Sequence, residues 1–551
     1  MSIDRVAVLM VGAVLLMTSA AGAQPVTIAL SGTPAPGANG GVFQASTSTF
    51  SNPVLNNAGT VVFGSNITGS ATFGQVGGLF ASTNGTITPI ALRGNLAPPG
   101  SIPSFPSATY GGFDARHQSN DVGQTAFQNS VNAGVPTGAL FQDGPNGVTP
   151  LAVIGQAAPG TVGATFGSGT IPAGFTSYDH NAAGQVAFFA GLTNVANPNQ
   201  DRGVFLSTGG TTPTTTAVAL RGDAAPGTSG ATFDNMLGDR VQIGASGRVT
   251  FASSLTAGSN AAQTSGLFTW LGGTTTAIAV RGGAAPGTDG ATYFSIHNNT
   301  SVWRPPVMNE AGRTVFVAGL TPGGSLAQTA GLFAHDGGVT TAIAIRGDSA
   351  PGTASSTFNN FELYAQNASG RVAFVAGLTG TSIQSQGLFI HSAGTNTAVA
   401  IRGGAAPGTA AGVTYNNFAA PAINWLGEVA WLSELAGAGV TNANRWAVFS
   451  TAGGTPQQVV RWGDQIDVDP TAGVDLRTVS AIRFGSTDFS NPSTVFNDFG
   501  TLVMRLEFTN NTSGVFTFTP VPEPTSVSCV GVGVLGVIAA WQRRRRARTG
   551  A

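Results

Sequence analysis

Short apolar runs recur along the chain, separated by turns rich in Gly, Thr and Asn. The block from Asn367 to Gly403 is the clearest example. It contains a four-residue turn, an apolar run, a Gly-Leu-Phe segment, a Gly/Thr turn and a final apolar run that ends in Arg-Gly. Runs of this length between turn residues predict strands. Their apolar residues stand at consecutive positions, as in Ala277-Ile278-Ala279-Val280, which is typical of strands buried on both faces.

The Arg-Gly dipeptide that closes each block, together with the Ala-Pro-Gly loop after it, marks a repeat. The marker glycines, counting degenerate copies, are Gly32, Gly94, Gly155, Gly222, Gly282, Gly347, Gly403 and Gly463. They are separated by 56 to 67 residues. The spacing predicts seven complete units and an eighth that begins at Asp464. We expect the repeated arginine to be structural and to bind loop carbonyls between units, because it recurs in most of them.

A second marker is the turn Asn-x-x-Gly followed by an apolar run. It begins at Asn56, Asn120, Asn181, Asn309, Asn367, Asn424 and Asn497, and Gly244 replaces the asparagine in the fourth unit. Asn at the first and Gly at the fourth position favour a type I turn, so the marker indicates a hairpin. The copy from Asn181 to Phe188 shows that these units resemble the bacterial NxxGxxAF tandem-repeat proteins. The resemblance implies no known activity.

Each unit offers four strands, and burial on both faces predicts small sheets packed between neighbours, as in a β-propeller. The eighth unit lacks a fourth strand after Phe518, whereas Val26 to Leu30 form a fourth-type strand without a unit of its own. Pairing the two would remove two exposed edges. The sequence therefore predicts an all-β, eight-bladed propeller of about 60-residue repeats, closed by the N-terminal strand. An open β-solenoid or tandem β array is the alternative.

Both ends carry targeting signals. Residues 1–23 read as a signal peptide: Arg5, an apolar core from Val6 to Met17, and Ala21-Gly22-Ala23 as a small-residue cleavage site. We therefore assign 24–520 to the propeller and 521–551 to a C-terminal tail. The uncharged stretch 524–542 would span about 28 Å as a helix, close to the hydrocarbon thickness of a bilayer.

That tail resembles the PEP-CTERM sorting signal of exported bacterial proteins. The residues that carry the resemblance are Pro522, Glu523, Pro524, Arg543, Arg544, Arg545 and Arg546. The resemblance implies recognition by an exosortase-type membrane protease, cleavage near the Pro-Glu-Pro motif, and release or attachment at the cell surface. The arginines are expected on the cytoplasmic side.

The amino-acid composition argues against several classes of function. Charged residues make up only 9% of the chain, and all 23 basic residues are arginine. The C-terminal arginine cluster conceals a mildly acidic body behind a formal net charge of −1, which argues against nucleic acid as a partner. The single cysteine, Cys529, excludes an internal disulfide. We predict no catalytic residue, metal or cofactor, since no hydrolase, zinc-protease or phosphate-loop motif is present.

If the fourth strand is outermost, the first strand of each unit lines the central channel. These strands carry the charged and aromatic residues of a weakly charged chain. The candidate channel residues are Asp114, Arg116, His117, Tyr178, Asp179, His180, Asp239, Arg240, Arg304, Glu362 and Tyr364. Such a face would suit a small polar or sugar-like ligand. A solvated wall with internal salt bridges and no ligand is the alternative.

Three functions remain open. The first is an exported, surface- or matrix-associated repeat protein that acts as a non-catalytic binding or structural module. Extracellular polysaccharide would be its candidate partner besides the sorting protease and the membrane. The second is a secreted propeller enzyme acting on polysaccharide, with carboxylates drawn from Asp114, Asp179, Asp239 and Glu362. The third, ligand sensing or adhesion, differs from the first only in its partner.

Overall fold

The computed structural model describes residues 23–98, 107–133, 135–167, 175–236, 241–256, 258–296, 305–380, 383–469, 473–485 and 492–520. These residues form eight small antiparallel sheets, which stand around one axis as the blades of a β-propeller. We number the blades one to eight along the chain. The predicted fold class is therefore confirmed, and the open solenoid or array is wrong. Residues 1–22 and 521–551, which hold almost all of the predicted signal peptide and the whole sorting tail, lie outside the described residues.

The three outer positions of each blade are regular. The second strands are Val61–Thr68, Thr125–Ala133, Val186–Thr193, Val249–Leu255, Thr314–Thr321, Val372–Thr379, Val429–Ala436 and Leu502–Phe508. The third strands are Gly77–Thr83, Val135–Gly144, Arg202–Ser207, Ser265–Leu271, Ala330–Asp336, Gln386–Ser392, Trp446–Ser450 and Ser513–Thr519. The outer strands of blades one to seven are Thr86–Leu92, Gly147–Val153, Thr215–Leu220, Thr274–Val280, Val339–Ile345, Thr395–Ile401 and Gln457–Arg461.

The inner strands are less regular. Blades two, six and seven have continuous ones, Thr109–Ser119, Thr357–Gln366 and Thr414–Ile423. Four blades have two pieces each, Val42–Phe43 with Val54–Leu55, Thr165–Phe166 with Phe175–His180, Phe233–Met236 with Gln242–Ile243, and Thr292–Ile296 with Val307–Met308. Blade eight combines Gln465–Asp467, Leu476–Arg483 and the 3-10 helix Pro492–Val495; a second 3-10 helix, Pro198–Gln200, joins two strands of blade three. Neighbouring inner segments contact one another in an unbroken ring around the axis.

The N-terminal strand Gln24–Leu30 closes the propeller. It pairs antiparallel with Ser513–Thr519, with Val26 opposite Thr517 and Leu30 opposite Gly514. This strand becomes the outer strand of blade eight, as the missing fourth strand predicted. A ring closed in this way joins the two ends of the fold and leaves neither strand as a free edge there.

The hydrophobic core lies between blades rather than within them. Buried clusters join each consecutive pair of blades, and one large cluster covers both the contact of blades seven and eight and that of eight and one. Within a blade, the aromatic residue of the second strand stacks on that of the third. Phe374 and Phe389 show the arrangement, with ring centroids 5.4 Å apart. Burial on both faces explains why these strands read as continuous apolar runs.

The Asn-x-x-Gly turns join inner to second strands and tie each blade to the next. In blade six, the Oδ1 of Asn367 accepts from the backbone N–H of Arg371 at 2.9 Å, and its Nδ2 donates to the carbonyl of Asn424 in blade seven at 2.8 Å. The fourth residue of this turn, Gly370, has φ +79°, which glycine adopts without strain. The asparagine thus closes its own hairpin and bonds to the neighbouring blade.

Blade four departs from this rule because its neighbour fills the space. A Cβ on Gly244 would lie 3.1 Å from the carbonyl oxygen of Glu310 and 3.2 Å from that of Asn309. The backbone N–H of Ala245 donates instead to the Glu310 carbonyl at 2.8 Å. At the turns, the link between blades four and five is therefore made by backbone groups alone.

Candidate functional site

The eight turns, seven of which begin with asparagine, surround a cavity of about 160 Å³ at one end of the central channel. We call this end the turn face. Every blade contributes to the cavity, chiefly through the last inner-strand residue and the first two turn residues. Its lining residues include Asn57, Asp121, Asp179, His180, Ile243, Met308, Glu310, Gln366, Trp425 and Asp498. Polar groups therefore converge at one place although the repeat itself is built for packing.

Carboxylates and one amide form a hydrogen-bonded rim across blades eight, one and two. The Nδ2 of Asn57 donates to Asp121 Oδ2 at 2.9 Å and to Asp498 Oδ2 at 2.7 Å. The backbone N–H of Trp425, in blade seven, donates to Asp498 Oδ1 at 2.7 Å. These contacts hold two acidic side chains beside an indole ring at the mouth of the cavity.

Glu310 brings a third carboxylate to the same rim from blade five. Its Oε1 accepts from the backbone N–H of Ala182, in blade three, at 3.2 Å. The side chain therefore reaches past blade four, whose turn carries only Gly244 and Ala245 at the corresponding positions. Burial raises the pKa of Glu310, and the charge of Asp121 raises it further.

Asp179 lies deeper, at the end of the inner strand of blade three. It is buried, and its Oδ2 accepts from the backbone N–H of Ile243 in blade four at 2.9 Å. Burial raises the pKa of Asp179 to about 7; backbone hydrogen bonds oppose the shift and the charge of Glu310 adds to it. This carboxyl is therefore close to half-protonated at neutral pH.

His180, the next residue, faces blade two and is held as one tautomer. Its Nε2 accepts from Asn120 Nδ2 at 3.2 Å and from Gln142 Nε2 at 2.8 Å. Both amides are oriented by further bonds, because Asn120 Oδ1 accepts from the N–H of Gln124 and Gln142 Oε1 from that of Gly210. Two donors at Nε2 leave the ring proton on Nδ1. Burial lowers the pKa of His180 to about 3, so the ring is neutral.

The Nδ1 of His180 has no hydrogen-bond partner among the described residues, and neither does the Oγ of Ser119. Both residues line the cavity, and His180 is only 9% exposed. A buried donor without an acceptor costs about 1–3 kcal/mol. A buried polar group without a partner in a native structure calls for an explanation, and a bound ligand is one.

The remaining candidates from the sequence lie elsewhere in the described structure. Tyr178 and Tyr364 are buried, and their hydroxyls donate to the carbonyls of Arg116 (2.8 Å) and Pro305 (2.6 Å) in the preceding blade. His117 is also buried, with its Nε2 3.1 Å from the carbonyl of Val62 in blade one. Glu362 accepts from Gln386 Nε2 at 2.6 Å. These residues make contacts within or between blades and do not line the cavity.

Several candidates fall where the structure gives no description. Asp239, Arg240 and Arg304 lie outside the described residues, and of Asp114 only the backbone, within Thr109–Ser119, is described. The sorting-signal residues Pro522, Glu523, Pro524, Arg543, Arg544, Arg545 and Arg546 are likewise outside. Among the channel candidates whose side chains the structure describes, Asp179 and His180 are the two that line the cavity.

Sequence reasoning missed the rim itself. Asn57, Asp121, Glu310, Trp425 and Asp498 all occupy the second position of an Asn turn. The fourth position is always glycine and the first is asparagine in every blade but the fourth, because the turn favours them, whereas the second varies between alanine, amide, acid and tryptophan. Variation at this one position of an otherwise regular repeat was the sequence signal that could have indicated the rim.

The repeated arginine makes structural contacts, but its partners differ from those expected. Arg281 and Arg346 donate to the hydroxyls of Thr264 (2.7 Å) and Thr329 (2.5 Å) within their own blades. Arg221 pairs with Asp234 at 2.9 Å. Only some copies reach a carbonyl, because the loop between second and third strands presents a threonine or serine hydroxyl at the right distance.

Within the described part of the chain, no helix is long and apolar enough to cross a membrane. The predicted span 524–542 is not among those residues. The same described residues contain no group of three or more His, Cys, Asp or Glu side chains suited to a metal ion.

Comparison with known proteins identifies a family and the sorting signal. A family model described as a family of unknown function (DUF7453) matches residues 14–393 and again 303–528. A PEP-CTERM protein-sorting motif matches residues 520–546. No curated protein matches the chain.

Solved propellers resemble the structure only distantly. The β-propeller domain of the Trilobed protease from Pyrococcus furiosus is 9% identical, with 76% of this chain and 99% of that chain covered and a TM-score of 0.36. The Dos1 propeller is 9% identical, with 86% and 94% covered and a TM-score of 0.38. At such values the likeness carries no argument about activity.

The fold and the motif define the class of protein, an exported β-propeller with a membrane-associated sorting signal at its C-terminus. The chain belongs to the DUF7453 family. The resemblance of its turns to the NxxGxxAF repeat proteins stays a prediction, because the matching family model is a different one.

Proposed function

We propose that the protein is carried to the cell surface or extracellular matrix, where the propeller acts as a non-catalytic binding or structural module. One observation carries this proposal: the propeller is complete before the sorting signal begins. The last strand of the fold ends at Thr519 and is already paired with Gln24–Leu30, while the sorting motif starts at residue 520. The tail can therefore be recognised and removed without loss of any strand.

The same reasoning supports the division of the chain. We assign 1–23 to a signal peptide, 24–520 to the propeller and 521–551 to the sorting tail. In this scheme an exosortase-type protease recognises Pro522-Glu523-Pro524 at the membrane, and 524–542 anchors the chain until cleavage. The arginines from Arg543 to Arg546 hold the end of the tail on the cytoplasmic side.

A binding role fits the described side chains better than hydrolysis of polysaccharide. Glycoside hydrolysis needs two carboxyl groups about 5–9.5 Å apart across a pocket. Of the four carboxylates that the sequence offers for this chemistry, Asp179 lines the cavity, whereas Glu362 bonds to Gln386 outside it. The cavity carboxylates Asp121 and Asp498 both accept from one amide, that of Asn57, which holds them side by side at the rim.

Sorting is tested by expressing the full chain in a bacterium that possesses an exosortase. We expect a shortened, surface-associated product from the natural chain. The variant with Pro522→Ala, Glu523→Ala and Pro524→Ala should stay unprocessed in the membrane, whereas the control Thr525→Ala should be processed. Equal processing and localisation of all three chains, or retention of the natural chain in the cytoplasm, would overturn the proposal.

A further inference from the structure

We propose that the turn-face cavity binds an amino-sugar residue of an extracellular polysaccharide, reading both its ammonium group and its hydroxyls. This inference rests on the proposed function only for the place where the polymer meets the protein. Four features of the cavity carry it: uncompensated negative charge, an exposed indole, an unused buried donor, and a suitable volume.

The first feature is charge. Asp121, Glu310 and Asp498 line the cavity beside the partly protonated Asp179, and none of the described residues that line it is an arginine. Two arginines of the turns bond to backbone carbonyls and are not among the lining residues: Arg313 donates to the carbonyl of Gly370 at 2.7 Å and Arg371 to that of Leu426. Several carboxylates without a cation repel anionic ligands and attract cationic ones.

The second feature is Trp425, which lines the cavity and is 56% exposed. Its backbone N–H is bonded to Asp498, so the ring and the carboxylate lie at the same edge of the site. An aromatic face beside carboxylates attracts organic cations through the ring quadrupole. It also offers a flat apolar surface to the C–H face of a sugar ring.

The third feature is independent of charge. His180 is locked with its proton on Nδ1, and that N–H has no acceptor among the described residues. An ammonium group has only donors and would leave this N–H unsatisfied. A hydroxyl oxygen accepts from it and donates to a carboxylate. A ligand with both ammonium and hydroxyl groups therefore matches the cavity better than a simple amine.

The fourth feature is size. A volume of about 160 Å³ corresponds to roughly eleven to sixteen water molecules, at ~10–15 Å³ for each. That is space for one compact ring and not for a long segment of peptide. The polymer would continue over the open turn face, where Leu426 and Phe499 are exposed at the third positions of their turns.

The test is calorimetric titration of the exported protein with three probes: a glucosamine oligomer, an N-acetylglucosamine oligomer of the same length, and a short lysine peptide. We expect binding of the glucosamine oligomer to be at least tenfold tighter than that of either other probe. Glu310→Gln should weaken it roughly tenfold, because a charge-assisted contact is lost. The variant keeps an acceptor for the Ala182 N–H, so the thermal midpoint should not change.

Two further variants make the result specific. Trp425→Ala should weaken binding of the glucosamine oligomer severalfold. Glu362→Gln, the same substitution outside the cavity, should bind like the natural protein.

Equal affinity for the acetylated oligomer would overturn the role of charge, and equal affinity for the lysine peptide would overturn the choice of a sugar. Absence of binding to all three probes, or equal weakening by Glu362→Gln, would overturn the site. Processing at the sorting motif does not involve the cavity. The result of this experiment therefore does not affect the proposal that the protein is exported.

Discussion

The Nδ2 of Asn56 donates to the backbone carbonyl of Asn120, 2.9 Å away in space and 64 residues later in the chain. The same contact recurs from blade to blade, from Asn120 to Asn181 and from Asn181 to Gly244. At the junction of blades eight and one, Asp498 and Asn57 exchange hydrogen bonds of 2.7 and 2.9 Å instead. A residue that the sequence indicates only as a turn former is thus also the link that holds the ring together around the cavity.

Replacing one of these asparagines should therefore lower the free energy of unfolding by more than the loss of a turn would. We expect Asn367→Ala to lower the free energy of unfolding by about 2–4 kcal/mol, because two buried hydrogen bonds are lost. Urea denaturation followed by fluorescence measures the change. Asn260→Ala, in an exposed loop, should stay within about 0.5 kcal/mol of the natural protein. Similar values for the two variants would show that the inter-blade bond contributes nothing.

Closure by the N-terminal strand makes a second prediction. A chain that lacks residues 24–30 should expose Val515 and Phe516, which are fully buried, along a free strand edge. We expect it to aggregate on size-exclusion chromatography, and a peptide of residues 24–31 supplied in trans should restore the monomer. Val26→Ala, at a position that is 58% exposed, should have little effect. A truncated chain that remains monomeric with an unchanged thermal midpoint would argue against closure.

Closure of the ring was predictable because it depends only on the number of strands in each unit. Gln24–Leu30 has the composition of an outer strand, and the eighth unit stops after its third. Burial of the strands on both faces was also predictable from the sequence, because it requires continuous apolar runs. Neither inference needs to know how a side chain is oriented.

The cavity was not predictable in the same way, because it depends on contacts between units. Glu310 belongs to blade five but bonds to Ala182 in blade three, and only the small residues of blade four allow it to pass. The hydroxyls of Tyr178 and Tyr364 bond to the preceding blade. Sequence position assigned these tyrosines to the inner strand, but it could not show that their hydroxyls bond to a neighbouring blade and not to a ligand.

Asp179 and His180 should give opposite pH dependences of stability. The pKa of Asp179 is raised to about 7 in the folded protein, against about 4 in the unfolded chain. Between these values the folded state binds more protons, so this residue lowers stability as pH rises. We expect Asp179→Asn, whose side-chain oxygen still accepts from Ile243, to gain stability over the natural protein from pH 4 to pH 7, by as much as about 4 kcal/mol.

For His180 the sign reverses. Its pKa is lowered to about 3 in the folded protein, against about 6.5 in the unfolded chain. The unfolded state binds more protons in this window, so stability falls as pH drops from about 6.5 to 3. Denaturation curves at successive pH values should show His180→Gln losing this dependence. Parallel curves for the variant and the natural protein would mean that the imidazole is not held neutral.

The aromatic stacks allow a prediction about a substitution that already occurs naturally in one blade. In seven blades an aromatic residue of the second strand stacks on the third-strand phenylalanine, but in blade eight Met504 lies opposite Phe516. Phe374, fully buried against Phe389, should accordingly tolerate methionine with a loss of less than about 1.5 kcal/mol.

Truncation of the same side chain leaves a cavity that the neighbouring blades, fixed in a closed ring, cannot collapse to fill. We therefore expect Phe374→Ala to cost about 3–5 kcal/mol in urea denaturation. Phe73→Ala, at a fully exposed phenylalanine, should cost almost nothing and serves as the matched control. If methionine proved as costly as alanine at position 374, the blades would differ in packing despite their shared sequence, and the equivalence of the eight units would fail.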